Sequence, residues 1–316
     1  MSKIRKPAEL QVQKTIKALI YGQPGLGKST LALSAPSPLH LDFDRGVHRV
    51  NPAHHKDTLQ VDSWEDVLEV LSDDISSYKT IIIDTAGKML DFMTAYLIKN
   101  DPKLGKPDGS LTLQGYGARK GAFVAFLRQV DQLGKHLIFV AHDKEEKDGE
   151  QKIVRPEIGG SSSGDLIKEL DLVGYMEAKG KARTISFDPC EKYYGKNTCN
   201  LQSVIKLSVL IDDKGSPVQD KPNDLLTQII ADYQVYLEKR KVITKQYNEL
   251  MTAVKENLDL VTDASTANEF VQWVTKMDHI WDSKVQAGQL FKAKQKSLGL
   301  ILNPKNQQYE KSTAAA

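Results

Sequence analysis

Cysteine is almost missing from this chain of 316 residues, occurring only as Cys190 and Cys199. Two thiols alone make neither a disulfide framework nor a four-ligand zinc site. Reduced thiols in a cytoplasm are expected, with a bond between the two as the alternative. Long hydrophobic runs are missing as well: no apolar stretch approaches the ~20 residues of a membrane-spanning helix. The basic start, "MSKIRKPAELQVQKTIK", has no apolar centre, so it is not read as a secretory signal and no membrane partner is expected. One-sided charge is lacking too. Lys and Arg number 43 against 41 Asp and Glu, a net +2. A nucleic-acid partner is therefore not announced by overall charge and has to be held by local patches.

What the chain does have is 40% apolar and 27% charged residues, the balance of an ordinary globular protein with one large core, or one core and an appendage. Short apolar runs alternate with amphipathic stretches from Lys17 to about Phe187. The runs "KALIYG", "PLHLDF", "KTIIIDT" and "HLIFVAHD" read as strands. "SWEDVLEVL", with Ser63 as N-cap, "KMLDFMTAYLIK" and "ARKGAFVAFLRQVDQL" read as helices. That alternation predicts an α/β fold with a mainly parallel sheet. "DLVGYMEAKGKARTISF" adds an antiparallel hairpin. Between His142 and that hairpin, "DKEEKDGEQKIVRPEIGGSSSGD" reads as a long polar loop, mobile or functional. From Asn223 the strand signal fades into helices, one of them starting at a Thr266 to Glu269 capping box and the last ending near "NP". The expected division is a basic tail over 1–16, an α/β core over 17–222, a helical appendage over 223–302 and a flexible tail over 303–316. Trp273 and Trp281 are read as core of the appendage.

Gly22, Gln23, Pro24, Gly25, Leu26, Gly27, Lys28 and Ser29 fill every fixed position of the phosphate-binding pattern G-x-x-x-x-G-K-[ST], with Thr30 following. Glycines let successive N–H groups turn toward phosphate oxygens. Lys28 supplies charge to the outer phosphates, and Ser29 a hydroxyl for Mg²⁺. Chance produces those four fixed positions in about one chain of this length in a hundred. Asp84 ends the apolar strand "TIIID", where open sheets bind ligands, and is the expected second Mg²⁺ ligand. ATP and Mg²⁺ are thus the expected ligands. Asp42 and Asp44 both follow the next strand, and either can orient a water or cap a turn. His142 closes "LIFVAH" as a γ-phosphate contact or a structural donor.

The ordered set "YGQPGLGKST", "LDFDRG", "IIIDTAG", "IFVAHD", a glycine-rich segment, a hairpin and "GKN" resembles the RecA-like superfamily, and more narrowly the phage-type ATPases of the Sak single-strand annealing group. The likeness covers roughly Lys17 to Ile230. It implies that Asp44 polarises the attacking water, where relatives often carry Glu. It also implies that the strand ending at His142 lies between the two phosphate-site strands, with His142 beside the γ-phosphate. "RPEIGGSSSGDLIKELD", including Arg155, Ser161, Ser162 and Ser163, is similar in position to a DNA-contacting loop. Lys196 matches a basic residue that reaches a neighbouring subunit's nucleotide, implying a homo-oligomer with ATP at its interfaces. Tyr116, Arg119 and Lys120 are further candidates for stacking on a base and gripping phosphate. The function implied is a DNA-stimulated ATPase acting on single-stranded DNA in recombination, within a host cytoplasm if phage-encoded. The alternative is a nucleotide-switched loader whose main partner is a protein, held by the C-terminal helices.

Overall fold

The computed structural model describes residues 14–148, 151–159 and 162–312, and the chain divides into two units, one ending at Gln234 and the other starting at Val235. Residues 1–13 of the expected basic tail lie outside the described residues. The first unit is built on one sheet. Its parallel strands are β1 (Lys17–Gly22), β2 (Pro38–Asp42), β3 (Thr58–Gln60), β4 (Thr80–Asp84), β5 (His136–Asp148) and β7 (Leu172–Lys179). Antiparallel additions are β6 (Gln151–Pro156), β8 (Ala182–Ser186), β9 (Lys196–Asn197) and β10 (Val204–Lys206). The order along the sheet is β10-β8-β7-β1-β5-β4-β2-β3, with β6 on β5 and β9 on β7. One strand, β5, separates β1 from β4, the order that the RecA-like resemblance implies.

Both faces of this sheet are covered, which is why its strands are continuously apolar. Ile81 and Ile83 point into one core with α2 (Trp64–Val70), α3 (Ala86–Asn100), α4 (Leu113–Gln132) and α5 (Ser162–Glu169). Ile82, Ile20, Ile138 and Val140 point into the other with α1 (Lys28–Ala32) and the start of α6 (Leu225–Asp259). Ser63 caps α2 in a reciprocal box with Asp66. The start of α6 grips the end of α1. The Ser34 hydroxyl accepts from Leu226 N at 3.0 Å, Ser34 O accepts from Thr227, and Thr30 O accepts from Asn223 Nδ2 at 2.7 Å.

The polar segment after His142 is not the loop read from its composition. β5 runs on past the sheet and pairs with β6 from Asp143↔Pro156 to Asp148↔Gln151. Ion pairs hold this arm: Lys152 to Glu145 at 2.9 Å and Arg155 to Glu146 at 3.0 Å. Cross-strand charge pairs stabilise a hairpin without any apolar alternation to betray it.

The second unit has its own core, formed by Val254 and Leu258 of α6, Ala267 and Phe270 of α7 (Ala264–Lys276), and Ala287 and Phe291 of α8 (Ser283–Ser297). The cap of α7 is Asp263, not Thr266; Thr266 is the third helical residue and bonds back to Asp263. α8 stops at Gly299, with φ of 62°. Residues 303–312 are not a loose tail, because β11 (Leu300–Asn303) pairs with β12 (Gln308–Lys311). Tyr309 packs edge-on against Phe291 at 5.0 Å, and Asn268 bonds its backbone on both sides. Trp281 is 59% exposed, its ring tilted against Tyr247, and so is not core. No helix among the described residues is long and apolar enough to cross a membrane.

Candidate functional site

The phosphate loop connects β1 to α1 along the C-terminal edge of the sheet. Gly22 touches β7 so closely that a Cβ there would stand 2.5 Å from the Met176 carbonyl oxygen. Gly27 caps α1 in the left-handed region, with φ of 85°, a conformation that side chains resist. Gln23, Pro24 and Gly25 are exposed, Leu26 is anchored in the core, and Ser29 and Thr30 are half-buried. The Lys28 side chain is buried, and its Nζ donates to the carbonyls of Gly22 and Gln23, both at 2.8 Å. Burial lowers the Lys28 pKa, while Asp143, Asp84 and Asp44, in that order, oppose the shift.

Acids converge on this lysine from three neighbouring strands. Asp84, at the end of β4, is 5% exposed, and its backbone oxygen accepts from Phe43 N at 2.7 Å, tying the ends of β4 and β2 together. Asp42 is fully buried and spends both carboxylate oxygens on the next turn, accepting from Gly46 N at 2.8 Å and Val47 N at 2.9 Å. Asp42 therefore caps a turn. Asp44 has no such backbone duty and stays half-exposed. Its carboxyl is held above the ordinary range by burial first, then by the charges of Asp84 and Asp42, with Arg49 and His142 pulling the other way.

His142 sits in β5 opposite Gly22 of the phosphate loop, with its Nδ1 buried and unpartnered among the described residues. Two neighbours escaped the sequence reading. His40 is 1% exposed, with Nδ1 3.3 Å from Thr58 Oγ1 and Nε2 3.5 Å from Asp84 Oδ2, the latter nitrogen making no hydrogen bond among the described residues. Asp143 follows His142 and is the strongest acidic influence on Lys28. Only the two-residue spacing of His40 from Asp42 on one strand hinted at a shared face.

A divalent cation fits this donor set. The carboxyl of Asp84 and the hydroxyl of Ser29 would hold it, and the charges of Asp84 and Asp42, after burial, add to the upward shift of Asp44 beside them.

The remaining candidates are dispersed. Tyr116 and Lys120 are exposed on α4, whereas Arg119 is 7% exposed and turned inward, donating to Thr94 Oγ1 at 3.3 Å and Gly159 O at 3.5 Å. Burial removes Arg119 as a surface grip on phosphate. Arg155 lies over the Tyr194 ring at 5.0 Å while paired to Glu146. Ser161 lies outside the described residues, and Ser162 and Ser163 open α5. Lys196 Nζ caps the far end of α5, donating to Ile167 O at 3.2 Å and Lys168 O at 3.0 Å.

Comparison with known proteins adds a family. Residues 14–199 match AAA_24, described as an AAA domain. The SPbeta prophage-derived uncharacterized protein YorG of Bacillus subtilis (strain 168) is 26% identical over 171 residues, 51% of this chain and 50% of that protein. The chain thus spans about half the length of that curated relative. Among solved structures, the RadB recombinase is 13% identical over 54% of this chain and 79% of its own, with a TM-score of 0.31. The flagellar accessory protein FlaH from Methanocaldococcus jannaschii is 12% identical over 60% and 84%, with a TM-score of 0.33. Scores this low carry no weight for function, and the fold rests on the strand order itself.

Proposed function

We propose that this chain, which belongs to the AAA_24 family of AAA domains, is an Mg²⁺-dependent P-loop ATPase working on single-stranded DNA in phage-type recombination, by strand annealing or exchange. Within that reading we assign it to the Sak-type group and to the host cytoplasm. The match to a prophage-derived protein supports the phage setting. One observation carries the coupling to a polymer: β5 passes between the two phosphate-site strands and continues without a break into the β5–β6 arm. A contact at His142 therefore has a continuous, hydrogen-bonded strand leading out of the site.

The roles follow from position. Lys28 trades its two loop carbonyls for phosphate oxygens, and the loop N–H groups and Thr30 complete the cradle. The cation held by Ser29 and Asp84 neutralises charge on the triphosphate. Asp44, whose carboxylate is the unengaged one of the β2 pair, orients the attacking water and accepts its proton. His142 offers a buried ring nitrogen to the terminal phosphate. Tyr116, Lys120, Arg155 and the residues after β6 are the proposed DNA contacts. Assembly into oligomers with ATP at the interfaces requires Lys196 to leave the carbonyls that end α5.

The test is ATP turnover by the full chain with and without single-stranded DNA, with Lys28→Ala as control. We expect stimulation by DNA and loss of tight ATP binding in the variant. Unstimulated turnover, with no DNA binding even at low salt, would remove the DNA half of the proposal. Near-normal ATP affinity in Lys28→Ala would remove the whole.

A second reading is a nucleotide-switched loader with a protein partner. The charge on the arm favours it, since Glu145 and Glu146 are paired with Lys152 and Arg155 and leave no basic patch. Loss of a partner protein on deleting the second unit, with DNA binding retained, would select this reading.

A further inference from the structure

The β7–β8 hairpin forms a wall beside the phosphate loop. Gly22 at the end of β1 is level with Met176 of β7, so residues 177–183 continue past the sheet edge on which the loop sits. On the returning strand, Arg183 pairs with Ala178 and shares a face with Ile185. Ile185 is buried in the core cluster that also holds Leu26 of the loop. Two residues nearer the hairpin tip, the same face overhangs the loop itself. Nη1 of Arg183 lies 3.0 Å from the point where a Cβ on Gly27 would stand.

That guanidinium is not committed elsewhere. Among the described residues no carboxylate lies within ion-pair distance of Arg183, although Lys181 beside it is paired to Asp213 at 2.9 Å. The residue is exposed, and its neighbours Lys179 and Lys181 carry the same sign. The other basic candidate for the nucleotide, Lys196, faces the end of α5. The loop's own lysine is a buried point charge, whereas Arg183 brings a planar fork of donors to the outer side of the same glycines.

We propose that Arg183 is a second phosphate ligand supplied by the same chain, donating from its guanidinium fork to the phosphate oxygens of a nucleoside di- or triphosphate held on the loop. This deepens the nucleotide reading and rests on it. Contact at Gly27, one residue before Lys28, points the fork at the phosphates and not at the base. It also gives Gly27 a second constraint, because any side chain there displaces the arginine.

The test titrates ATP, ADP and adenosine into the full chain carrying Arg183→Ala, Arg183→Lys or Lys28→Ala, with melting in the absence of nucleotide as the check on folding. Arg183→Ala is expected to weaken ATP and ADP about tenfold or more, the scale of a lost charge-assisted hydrogen bond. Adenosine binding and the nucleotide-free melting point should not change. Arg183→Lys should recover part of the affinity, because it keeps the charge and loses the fork, and raised salt should narrow the gap. Wild-type affinity in Arg183→Ala, beside lost affinity in Lys28→Ala, overturns the proposal and leaves the loop reading standing. Equal weakening of adenosine overturns it in favour of base stacking. Wild-type ATP affinity in Lys28→Ala overturns both. If the alanine variant melts lower than wild type, Arg183→Gln is judged by the same affinities.

Discussion

Asp44 carries a charge that the fold makes expensive. Its carboxyl is raised by burial and by Asp84 and Asp42, so ionising it costs stability. For an acid raised in the folded state, that cost is complete above the folded pKa and disappears as pH falls toward the ordinary value of 3.8. Asp44→Asn should therefore melt higher than wild type at neutral pH, with the gap closing on acidification. It should also keep ATP binding and slow hydrolysis by about 10²-fold or more, the usual loss for a positioned base. Wild-type turnover should fall with acid through a midpoint above the ordinary carboxylate range. A rate unchanged by Asp44→Asn would move the water-orienting role elsewhere, and Asp42 is poorly placed to take it while bound to Gly46 and Val47. Single residues were legible where chemistry is tied to local spacing. Gly27 and Lys28 belong to one loop, and Asp84 to one strand end. His40 and Asp143 were not, because their meaning lies in neighbours on other strands: Asp84 and Thr58 for one, Lys28 for the other.

At the scale of elements, the β5–β6 arm separates what periodicity reports from what pairing produces. Its β5 half is charged throughout, and the two apolar residues of β6, Ile153 and Val154, are adjacent and so give no alternating rhythm. The arm is held by its backbone ladder, by the Glu145–Lys152 and Glu146–Arg155 pairs, and by Val154, whose N–H donates to Lys192 O at 2.8 Å. If this arm meets DNA, its acids work against binding, Glu145 and Glu146 among them. Replacing Glu145 and Glu146 together by Lys should strengthen single-stranded DNA binding at low salt and steepen its salt dependence. Unchanged affinity would place the DNA elsewhere, with Tyr116 and Lys120 of α4 as the next surface to alter. α7 gives a parallel lesson in capping. Thr266 looked like the first residue of a box by spacing, yet Asp263 caps, because a box with Thr in the reciprocal place is equally satisfied. The last strands, β11 and β12, owe their order to Tyr309 finding Phe291 and Asn268, contacts that no local pattern encodes.

At the scale of the molecule, three hydrophobic cores share one chain, two on the faces of the sheet in the first unit and one in the second, and α6 runs through the point where the units divide. Thermal unfolding should accordingly show one transition that ATP raises and one that it does not, since only a folded nucleotide site is stabilised by mass action, by about 2.7 kcal/mol at a hundredfold excess over Kd. A single transition raised as a whole would mean that the two units unfold together. The sequence by itself determined the central strands β1, β2, β4 and β5 with the β7–β8 hairpin, the helical cover of the sheet, the phosphate loop and the acid at the end of β4. Each of these is written in neighbouring residues, as runs of apolar side chains or a fixed spacing of glycines around a lysine. Only the tertiary structure decided that Asp42 caps while Asp44 stays available, that Arg119 turns inward, that the polar segment is a paired arm, and that Arg183 overhangs the loop. All four depend on the register of strands and helices distant in sequence, and hydrogen bonds and charge pairs across that register leave no periodic trace in the chain.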